Sequence, residues 1–422
     1  MKIAIVGTGV AGLVTAHRLH PRHDITVFES DARVGGHAHT VDVEVDGRTH
    51  AVDTGFIVYN ERNYPGLVAL LNELGVATQP TEMSFGVSDA RAGLEYCGSN
   101  VNSMFAQRRN LANPAFLGLL AEIVRFNRAA LGLLHDGEDA EGDHNESLAE
   151  FVERRKFSRS FVERFLVPFG AAIWSADPAT FTKMPARSYA RFMDNHGLLE
   201  LRRRPQWRTI VGGSRTYVNA LTAPFADRIR TSAPVRKIVA RPETRNATQV
   251  ELLTERGPES FDRVVIATHS DQALRMLGDA TPAERSILEA IPYQRNIATL
   301  HTDARMLPTN RRARASWNYA VDGRSGLATV TYWMNRLQSI DSRRELLVTL
   351  NRRHAIADSK VLAEFEYHHP AFDAAAISAQ RRRHEIQGRR GIYFAGAYWG
   401  YGFHEDGLQS ANEVVAAIGT ER

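Results

Sequence analysis

Cysteine is almost missing from this chain of 422 residues, because Cys97 is the only one. A single thiol excludes an intramolecular disulfide and any zinc or iron–sulfur site that is built from cysteines. No apolar run reaches the roughly 20 residues that a membrane-spanning helix needs. The first residues form an apolar run rather than a targeting segment, so we expect a cytoplasmic protein.

Lysine is scarce as well, although the net charge is +4. Of the 52 basic residues only five are lysine, namely Lys2, Lys156, Lys183, Lys237 and Lys360. The arginines stand in short, separate runs such as 202–204 and 381–383 rather than in one block. We therefore expect solvated basic surfaces and no nucleic-acid partner.

A glycine-rich turn follows the first apolar strand, Lys2–Val6. The turn reads Gly7-Thr8-Gly9-Val10-Ala11-Gly12 and opens a helical pattern that runs to about Leu19. A second strand, Asp24–Phe28, ends directly before Glu29, whose carboxylate suits the two hydroxyls of a ribose. Strand, glycine turn, helix and distant acid together are typical of a dinucleotide-binding unit.

Each glycine of this turn has its own expected role. Gly7 allows the tight turn, Gly9 lets the backbone approach a pyrophosphate, and Gly12 permits close packing of helix on strand. The first helical residues, Val10 and Ala11, offer free N–H groups and a partial positive charge to the phosphates. This fingerprint does not decide between NAD and FAD.

The residues after the second strand narrow the choice. The segment 29–37 reads Glu-Ser-Asp-Ala-Arg-Val-Gly-Gly-His, and 52–56 reads Val-Asp-Thr-Gly-Phe. Both resemble segments of the FAD-binding amine oxidase and phytoene desaturase superfamily. The resemblance implies FAD contacts by Ser30, Arg33, Gly35, Gly36, His37, Thr54, Gly55 and Phe56. His37 replaces the basic residue that usually follows the paired glycines in that superfamily.

Later segments extend the resemblance over nearly the whole chain. The elements 210–213, 235–238 and 261–268 resemble those that return to the FAD domain, with Val235 on the adenine side. The implied fold class is α/β, a Rossmann-type FAD-binding domain interleaved with an α+β substrate-binding domain. The FAD domain takes residues 1–78, 205–290 and 386–422, and the substrate domain takes 79–204 and 291–385.

The C-terminal segment resembles the last FAD element of the superfamily. A strand ends in Gly396-Ala397, an aromatic and glycine-rich loop follows, and after Gly407 a final helix is predicted from Leu408 to Ile418. In the superfamily this helix points its N-terminus at the flavin, and Ala397 stands where an aspartate is usual. The GAYWGYGFHEDG-like ending is most similar to a bacterial subgroup that is associated with methylation or cyclopropanation of lipid acyl chains.

The same loop contains the candidate catalytic residues. Trp399 and Tyr401 stand where related amine oxidases place aromatic walls around the substrate, and His404 and Glu405 form the nearest candidate polar pair. Hydride abstraction by a flavin requires no general base, so we expect no catalytic triad. His37 and His39 have no third ligand at metal-like spacing, so we expect no metal site.

Two apolar elements stay open to more than one interpretation. The segment from Pro114 to Leu134 predicts a buried amphipathic helix, and contact with a membrane surface is the alternative. Trp174 is either part of the substrate pocket or an ordinary core residue.

Three functions remain compatible with the sequence. The first is an FAD-dependent dehydrogenase or oxidase that acts on an apolar small molecule or acyl lipid. The second is a flavin amine oxidase, although no lysine lies in a motif like that of the superfamily's flavin-facing lysine. The third is a redox-neutral isomerase of acyl chains. No second dinucleotide fingerprint is present, which favours oxygen or a carrier protein as the electron acceptor.

Overall fold

A parallel sheet of five strands is built around the first strand of the chain. The computed structural model describes residues 1–135, 146–199, 205–244, 247–321 and 327–420. Across the sheet the strands are Ile229–Arg230, Asp24–Phe28, Lys2–Val6, Arg263–Ile266 and Ile392–Phe394. The central strand is buried on both faces, which is why its sequence is a continuous apolar run. All five strands come from the ranges predicted for the FAD-binding domain.

Two helices pack together on this sheet, Val10–Leu19 and His404–Thr420. The final helix begins at His404, so its predicted start at Leu408 was wrong. The physical reason lies in its first turn, where acidic residues favour a helix N-terminus and the Asp406 carboxylate accepts a hydrogen bond from the Phe403 N–H at 2.8 Å. Gly407 is therefore a helical residue, at the point where the two helices come closest.

A seven-stranded sheet forms the second layer that concerns the site. Its order is Val361–Pro370, Tyr293–His301, Leu347–Leu350, Val330–Trp333, Trp317–Val321, Phe85–Asp89 and Leu94–Cys97. Neighbours are antiparallel except Phe85–Asp89 and Trp317–Val321, which run parallel. Every strand of this sheet comes from the ranges predicted for the substrate domain. The predicted division into domains itself stays a prediction, and its boundary near residue 204 lies outside the described residues.

Helices from 79–204 and 291–385 surround that sheet. The predicted apolar helix is present as Pro114–His135. Ser147 and Glu150 form a capping box at the start of the next helix, because each side chain accepts from the other residue's backbone N–H. The other helices of these ranges are Val101–Met104, Leu148–Arg154, Arg159–Phe161, the π-helix Val162–Leu166, Val167–Trp174, Pro178–Phe181, Ala186–Asn195, Met334–Leu337 and Ala374–Arg381.

Smaller elements complete the described chain. The remaining strands are Thr40–Val45, Arg48–Asp53, Tyr59–Asn60, Thr78–Thr81, Trp207–Ile210, Lys237–Thr244, Ala247–Thr254 and Gly257–Phe261. The remaining α-helices are Pro65–Glu73, Arg215–Thr222, Ser270–Met276 and Pro282–Glu289. Val235 was predicted to lie in a strand, but it precedes the strand Lys237–Thr244 by two residues. In the described part of the chain, no helix has the length and apolar character needed to cross a bilayer.

Candidate cofactor and active site

One cavity of about 910 Å³ connects the parallel sheet with the seven-stranded sheet. Its walls include loops at the ends of Lys2–Val6 and Arg263–Ile266 and residues from all seven strands of the larger sheet. Ligands of open parallel sheets bind beyond the carboxyl ends of the strands. The cavity therefore lies where the dinucleotide fingerprint predicts a cofactor.

The glycine turn leaves space for an anion at the cavity wall. A Cβ atom built on Gly9 meets no heavy atom within 4 Å, and Gly9 lines the cavity. No side chain caps the helix Val10–Leu19 that begins here, so its first N–H groups face an open space. Backbone donors and the helix dipole at this point fit a pyrophosphate.

Other glycines in these loops serve the packing of the backbone. Gly7 has φ +102°, and a Cβ on Gly12 would lie 1.9 Å from the Gly7 carbonyl oxygen. Gly35 has φ +114°, and a Cβ on Gly36 would lie 2.9 Å from the Gly9 Cα. This geometry fits the predicted role of Gly12 in close packing. Gly12 and Gly35 do not line the cavity.

Glu29 stands at the end of the second strand, where its carboxylate is held by the glycine turn. It accepts hydrogen bonds from the Thr8 N–H at 2.9 Å, from the Thr8 hydroxyl, and from the Asp31 N–H at 3.0 Å. These bonds fix a negative charge at the cavity wall, beside Ser30 and Asp31.

Two of the buried nitrogen atoms that lack a hydrogen-bond partner in the structure lie in the predicted cofactor segments of the cavity wall. They are Nη1 of Arg33 and Nε2 of His37. Arg33 is oriented by its other terminal nitrogen, which donates to the Gly36 carbonyl at 2.8 Å. A buried polar atom without a partner is costly, and FAD offers phosphate oxygens that accept from the Arg33 nitrogen and hydroxyl groups that can donate to a neutral imidazole nitrogen. The residues of this part of the cavity therefore fit FAD.

A group of neutral histidines lies next to His37, and sequence reasoning missed two of its members. The rings of His269 and His369 have centroids 6.3 and 5.2 Å from that of His37, and His269 stacks on Tyr293 at 4.2 Å. Burial lowers the pKa of His37 to about 4 and the pKa values of His269 and His369 to about 3. All three rings are uncharged at neutral pH. Within the described ranges, no three side chains are arranged to ligate a metal ion.

A buried carboxylate, Asp53, holds the segment that carries Thr54, Gly55 and Phe56. Asp53 accepts from the Thr40 hydroxyl at 2.6 Å, from the Ser214 N–H at 2.9 Å and from the Gln338 amide at 2.9 Å. Burial raises its pKa to about 6 against these hydrogen bonds. The strand Arg48–Asp53 is thereby tied to both the cofactor and the substrate segments. The three residues that follow Asp53 line the cavity.

His404 lines the cavity at the N-terminus of the final helix. Its ring stacks on Phe56 with a centroid distance of 3.8 Å, and its Nε2 lies 2.7 Å from the Tyr217 hydroxyl. Burial lowers the pKa of His404 to about 3, so the ring is neutral. Its partner is Tyr217, which the sequence did not indicate, rather than the predicted Glu405.

Glu405 and Trp399 are not where the sequence led us to expect them. The Glu405 carboxylate accepts from the N–H groups of Gly66 and Leu67, both at 2.9 Å, and so caps the helix Pro65–Glu73. The Trp399 indole donates to the Phe394 carbonyl at 3.2 Å, with Arg383 over its ring. Neither residue lines the cavity, because a turn at 397–399 and the early helix start direct both side chains elsewhere. Contrary to the prediction, neither residue is placed to contact a substrate in the cavity.

The aromatic loop 398–403 is held by side chains from the predicted substrate ranges. Trp174 donates through its indole nitrogen to the Tyr401 carbonyl at 3.0 Å. The Gln380 amide donates to the carbonyls of Tyr398 and Gly400 at 2.8 and 2.6 Å. Trp174 lies in the core and also lines the cavity, so its two interpretations, core residue and pocket residue, do not exclude each other.

The predicted site residues divide into two groups by position. Those that line the cavity are Gly7, Gly9, Val10, Ala11, Glu29, Ser30, Arg33, Gly36, His37, Thr54, Gly55, Phe56, Val235, Gly396, Ala397, Tyr401 and His404. Those that lie outside the lining are Gly12, Gly35, Trp399, Glu405, Gly407 and Leu408. Leu408 and Gly407 instead pack in the core against the first helix. Contact with the cofactor stays a prediction for the first group.

The portion of the cavity formed by residues 79–135 and 146–199, the described part of 79–204, is uncharged. Its lining consists of Met83, Ser84, Phe85, Tyr96, Gly98, Met104, Ile123, Asn127, Phe165, Phe169, Ile173, Trp174, Ser175, Phe192, His196 and Leu198. None of these is an acid, a lysine or an arginine, and burial lowers the pKa of His196 to about 4. The charged side chains of the cavity are Glu29, Asp31, Arg33, Arg236, Arg275 and Glu366, all from other segments.

Solved structures with a similar fold span nearly the whole chain, and they include an amine oxidase and a fatty acid isomerase. Cyclohexylamine oxidase from Brevibacterium oxydans IH-35A has a TM-score of 0.73 at 15% identity, covering 100% of this chain and 99% of that one. A CLA-producing fatty acid isomerase from P. acnes has a TM-score of 0.68 at 18% identity, covering 99% and 98%. At such identities the similarity concerns the fold, and it confirms the predicted α/β fold class.

Comparison of the sequence identifies the family. This chain is 26% identical over 275 residues to AofH of Mycobacterium tuberculosis (strain H37Rv), which carries the name flavin-containing monoamine oxidase. The match covers 63% of this chain and 56% of AofH, so the chain spans little more than half of that relative. A family profile that is described as flavin containing amine oxidoreductase matches residues 10–419. The predicted FAD cofactor is thereby confirmed, and the chain belongs to the flavin containing amine oxidoreductase family.

Proposed function

We propose that this chain is an FAD-dependent dehydrogenase or oxidase that removes hydride from a neutral, apolar substrate of the acyl-lipid class. The observation that carries the proposal is the uncharged lining contributed by the described residues 79–135 and 146–199. A cation or anion buried there would lose its water shell without gaining a counter-charge, which is strongly unfavourable. A neutral hydrocarbon chain incurs no such cost, and burial in this lining favours its binding.

The chain's own residues supply binding, orientation and exclusion of water. FAD, when bound, supplies the electron chemistry, since its N5 accepts a hydride from a C–H bond. We assign the hold on its phosphates to Gly9 and Arg33, and the hold on its ring system to the segment Thr54–Phe56. The rings of Phe165, Phe169 and Phe192 exclude water from the substrate side.

His404 and Tyr217 form a polar pair beside the cavity, and both side chains are uncharged at neutral pH. His404 is neutral, and burial raises the pKa of the Tyr217 hydroxyl, so neither group carries charge. We propose that the pair positions Phe56, on which His404 stacks, and offers a hydrogen bond rather than taking up a proton as a base.

The domain division and the acceptor belong to the same proposal. Segments 1–78, 205–290 and 386–422 would form the cofactor domain, which is supported by their exclusive use in the parallel sheet. We assign oxygen or a carrier protein as the acceptor, because the sequence has no second dinucleotide fingerprint. The proposal includes a cytoplasmic location.

An amine is the second candidate substrate, because aromatic rings dominate the same lining. Phe165 and Phe169 stack with their planes 11° apart, and Phe192 stacks on His196. Aromatic faces attract ammonium groups through cation–π interactions, worth about 0.5–2 kcal/mol each. This attraction is smaller than the cost of burying an ammonium without a counter-ion, so we rank the amine second.

Matched substrates separate the two candidates. The FAD-loaded protein is mixed without oxygen with an unsaturated fatty acyl methyl ester or with the alkylamine of the same chain length, both dispersed in neutral detergent. We expect the ester to bleach the flavin absorbance and the amine to leave it unchanged. Bleaching by the amine alone would select an amine oxidase. Conversion of the ester without lasting bleaching, at an unchanged number of double bonds, would select an isomerase.

A further inference from the structure

The helix Pro114–His135 has two apolar faces in its first half, of which only one is covered, and Arg125 and Arg128 continue the exposed face in its second half. Its buried residues include Phe116, Leu119, Phe126 and Leu133. The exposed stripe on its other side is Pro114, Leu117, Gly118, Ala121 and Val124, at the spacing of one helical face. We call this stripe the outer apolar face. The outer side of a surface helix normally carries polar residues, so an exposed apolar stripe on that side indicates a binding surface.

Further exposed apolar side chains precede the helix in the chain. Large exposed hydrophobic side chains of the described residues include Leu117 at 43%, Val124 at 36%, Leu111 at 57% and Val101 at 75% relative exposure. These four make up half of all such side chains found in the described parts of the chain. They fall within 24 consecutive residues, and the short 3₁₀ turn Arg108–Ala112 packs against the helix.

Positive charge surrounds the outer apolar face. Residues 101–135 contain the arginines Arg108, Arg109, Arg125 and Arg128, all exposed, and a single acid, Glu122. The Arg125 guanidinium lies 3.9 Å from the centroid of the Phe157 ring, donates to the carbonyls of Arg155 and Lys156 and pairs with Glu122 at 3.2 Å. Arg108, Arg109 and Arg128 therefore provide the uncompensated positive charge of the segment 101–135. An apolar strip with arginines beside it is complementary to an anionic lipid surface.

The cavity reaches the same helix from the inside. Ile123 and Asn127, one turn apart, line the uncharged part of the cavity, as does Met104 before the helix. A single helix therefore separates the site from the outer apolar face.

We infer that the outer apolar face docks on a bilayer containing anionic phospholipids, from which an acyl-lipid substrate reaches the cavity beside this helix. The entry of an acyl-lipid substrate from the bilayer rests on the proposed function, whereas the docking on the bilayer does not. A second copy of the chain is the less favourable occupant. Two-fold pairing through this face would bring its arginines against one another, whereas phospholipid headgroups neutralise them.

Vesicle sedimentation with the FAD-loaded full chain tests the docking. We expect binding to phosphatidylcholine vesicles that contain phosphatidylglycerol, weaker binding to phosphatidylcholine alone, and a decrease with added salt. Leu117→Glu should weaken binding roughly tenfold to a hundredfold, since a leucine that becomes buried in the bilayer on docking is replaced by a charge. Arg128→Gln should weaken binding to the anionic vesicles roughly fivefold.

Equally exposed leucines elsewhere provide the controls. Leu253 has the same 43% exposure as Leu117, and Leu362 has 38%, close to Val124. Leu253→Glu and Leu362→Glu should bind vesicles like the unchanged protein, and all variants should keep their flavin content and melting temperature. Val124→Glu should behave like Leu117→Glu.

Three results would overturn the inference. They are absence of binding to the anionic vesicles, equal loss in the control variants, and a dimer in solution that Leu117→Glu dissociates. The detergent-dispersed ester assay needs no bilayer, so a failure of docking is distinguishable from a failure of the proposed function.

Discussion

Substitution of Gly9 by valine should abolish FAD binding without harming the fold. Gly9 has φ −65° and ψ 176°, an extended conformation that valine adopts readily, and its Cβ direction is open for 4 Å. The cofactor-free variant should be as stable as the cofactor-free parent or about 0.4–1 kcal/mol more stable, because glycine loses more chain entropy on folding. The new side chain fills the space between the helix N-terminus and the cavity, where we place the phosphates.

The loss of affinity follows from the hydrogen bonds that the side chain would block. Two backbone N–H bonds to a charged phosphate contribute about 1.5–3 kcal/mol each, or about 3–6 kcal/mol together. The dissociation constant for FAD should therefore rise by roughly 10²–10⁴-fold. Fluorescence titration of FAD into the cofactor-free protein measures this change, and chemical unfolding measures the stability.

Two further glycines calibrate the result. Gly132 also has no heavy atom within 4 Å of its Cβ position but lies in the helix Pro114–His135, so Gly132→Val should bind FAD normally. Gly12→Val should fail to fold, because its Cβ would lie 1.9 Å from the Gly7 carbonyl oxygen. Unchanged FAD affinity in Gly9→Val would refute the placement of the phosphates at this turn.

The other predictions concern side chains whose roles the structure redefines. Glu405→Gln should lower the free energy of unfolding by about 1–2 kcal/mol, measured in urea, because it weakens the cap on the Gly66 and Leu67 N–H groups. Flavin content should stay constant, and a lost flavin signal would contradict a purely capping role. Tyr217→Phe leaves Nε2 of His404 without its partner and should cost about 1–3 kcal/mol, whereas a fully stable variant would show that water replaces the hydroxyl. The pKa of Asp53 is raised to about 6 in the folded chain, against about 4 when unfolded, so the folded state binds this proton more tightly. Its contribution to stability therefore falls by about 3 kcal/mol as pH rises from 4 to 6 and then stays constant, and comparison with Asp53→Asn across that range should show this fall only in the unchanged protein.

The sequence predicts those parts of the fold whose signals are local. The strands Lys2–Val6 and Asp24–Phe28 begin and end at the predicted residues, because buried parallel strands are continuous apolar runs between turn residues. The capping box at Ser147 is equally local, since its two hydrogen bonds join residues three positions apart.

The site depends instead on contacts between distant segments. His269 and His369 are a hundred residues apart, and only the pairing of Tyr293–His301 with Val361–Pro370 brings their rings to His37. No spacing in the sequence indicates this group. The direction of a side chain after a turn is similarly unpredictable, and for this reason Glu405 was assigned to the wrong partner.

The C-terminal ending, residues 396–407, supports the structure around the FAD site more than it determines which substrate class binds. Among its residues, Tyr401 and His404 line the cavity. The Trp399 indole instead donates to a backbone carbonyl, and the Glu405 and Asp406 carboxylates accept from backbone N–H groups. The uncharged lining comes from described residues between 83 and 198, which share none of that motif. A chain with the same ending but a carboxylate in that lining should therefore keep the FAD site and accept a cation. Substrate class is best read from the lining of that segment, not from the ending.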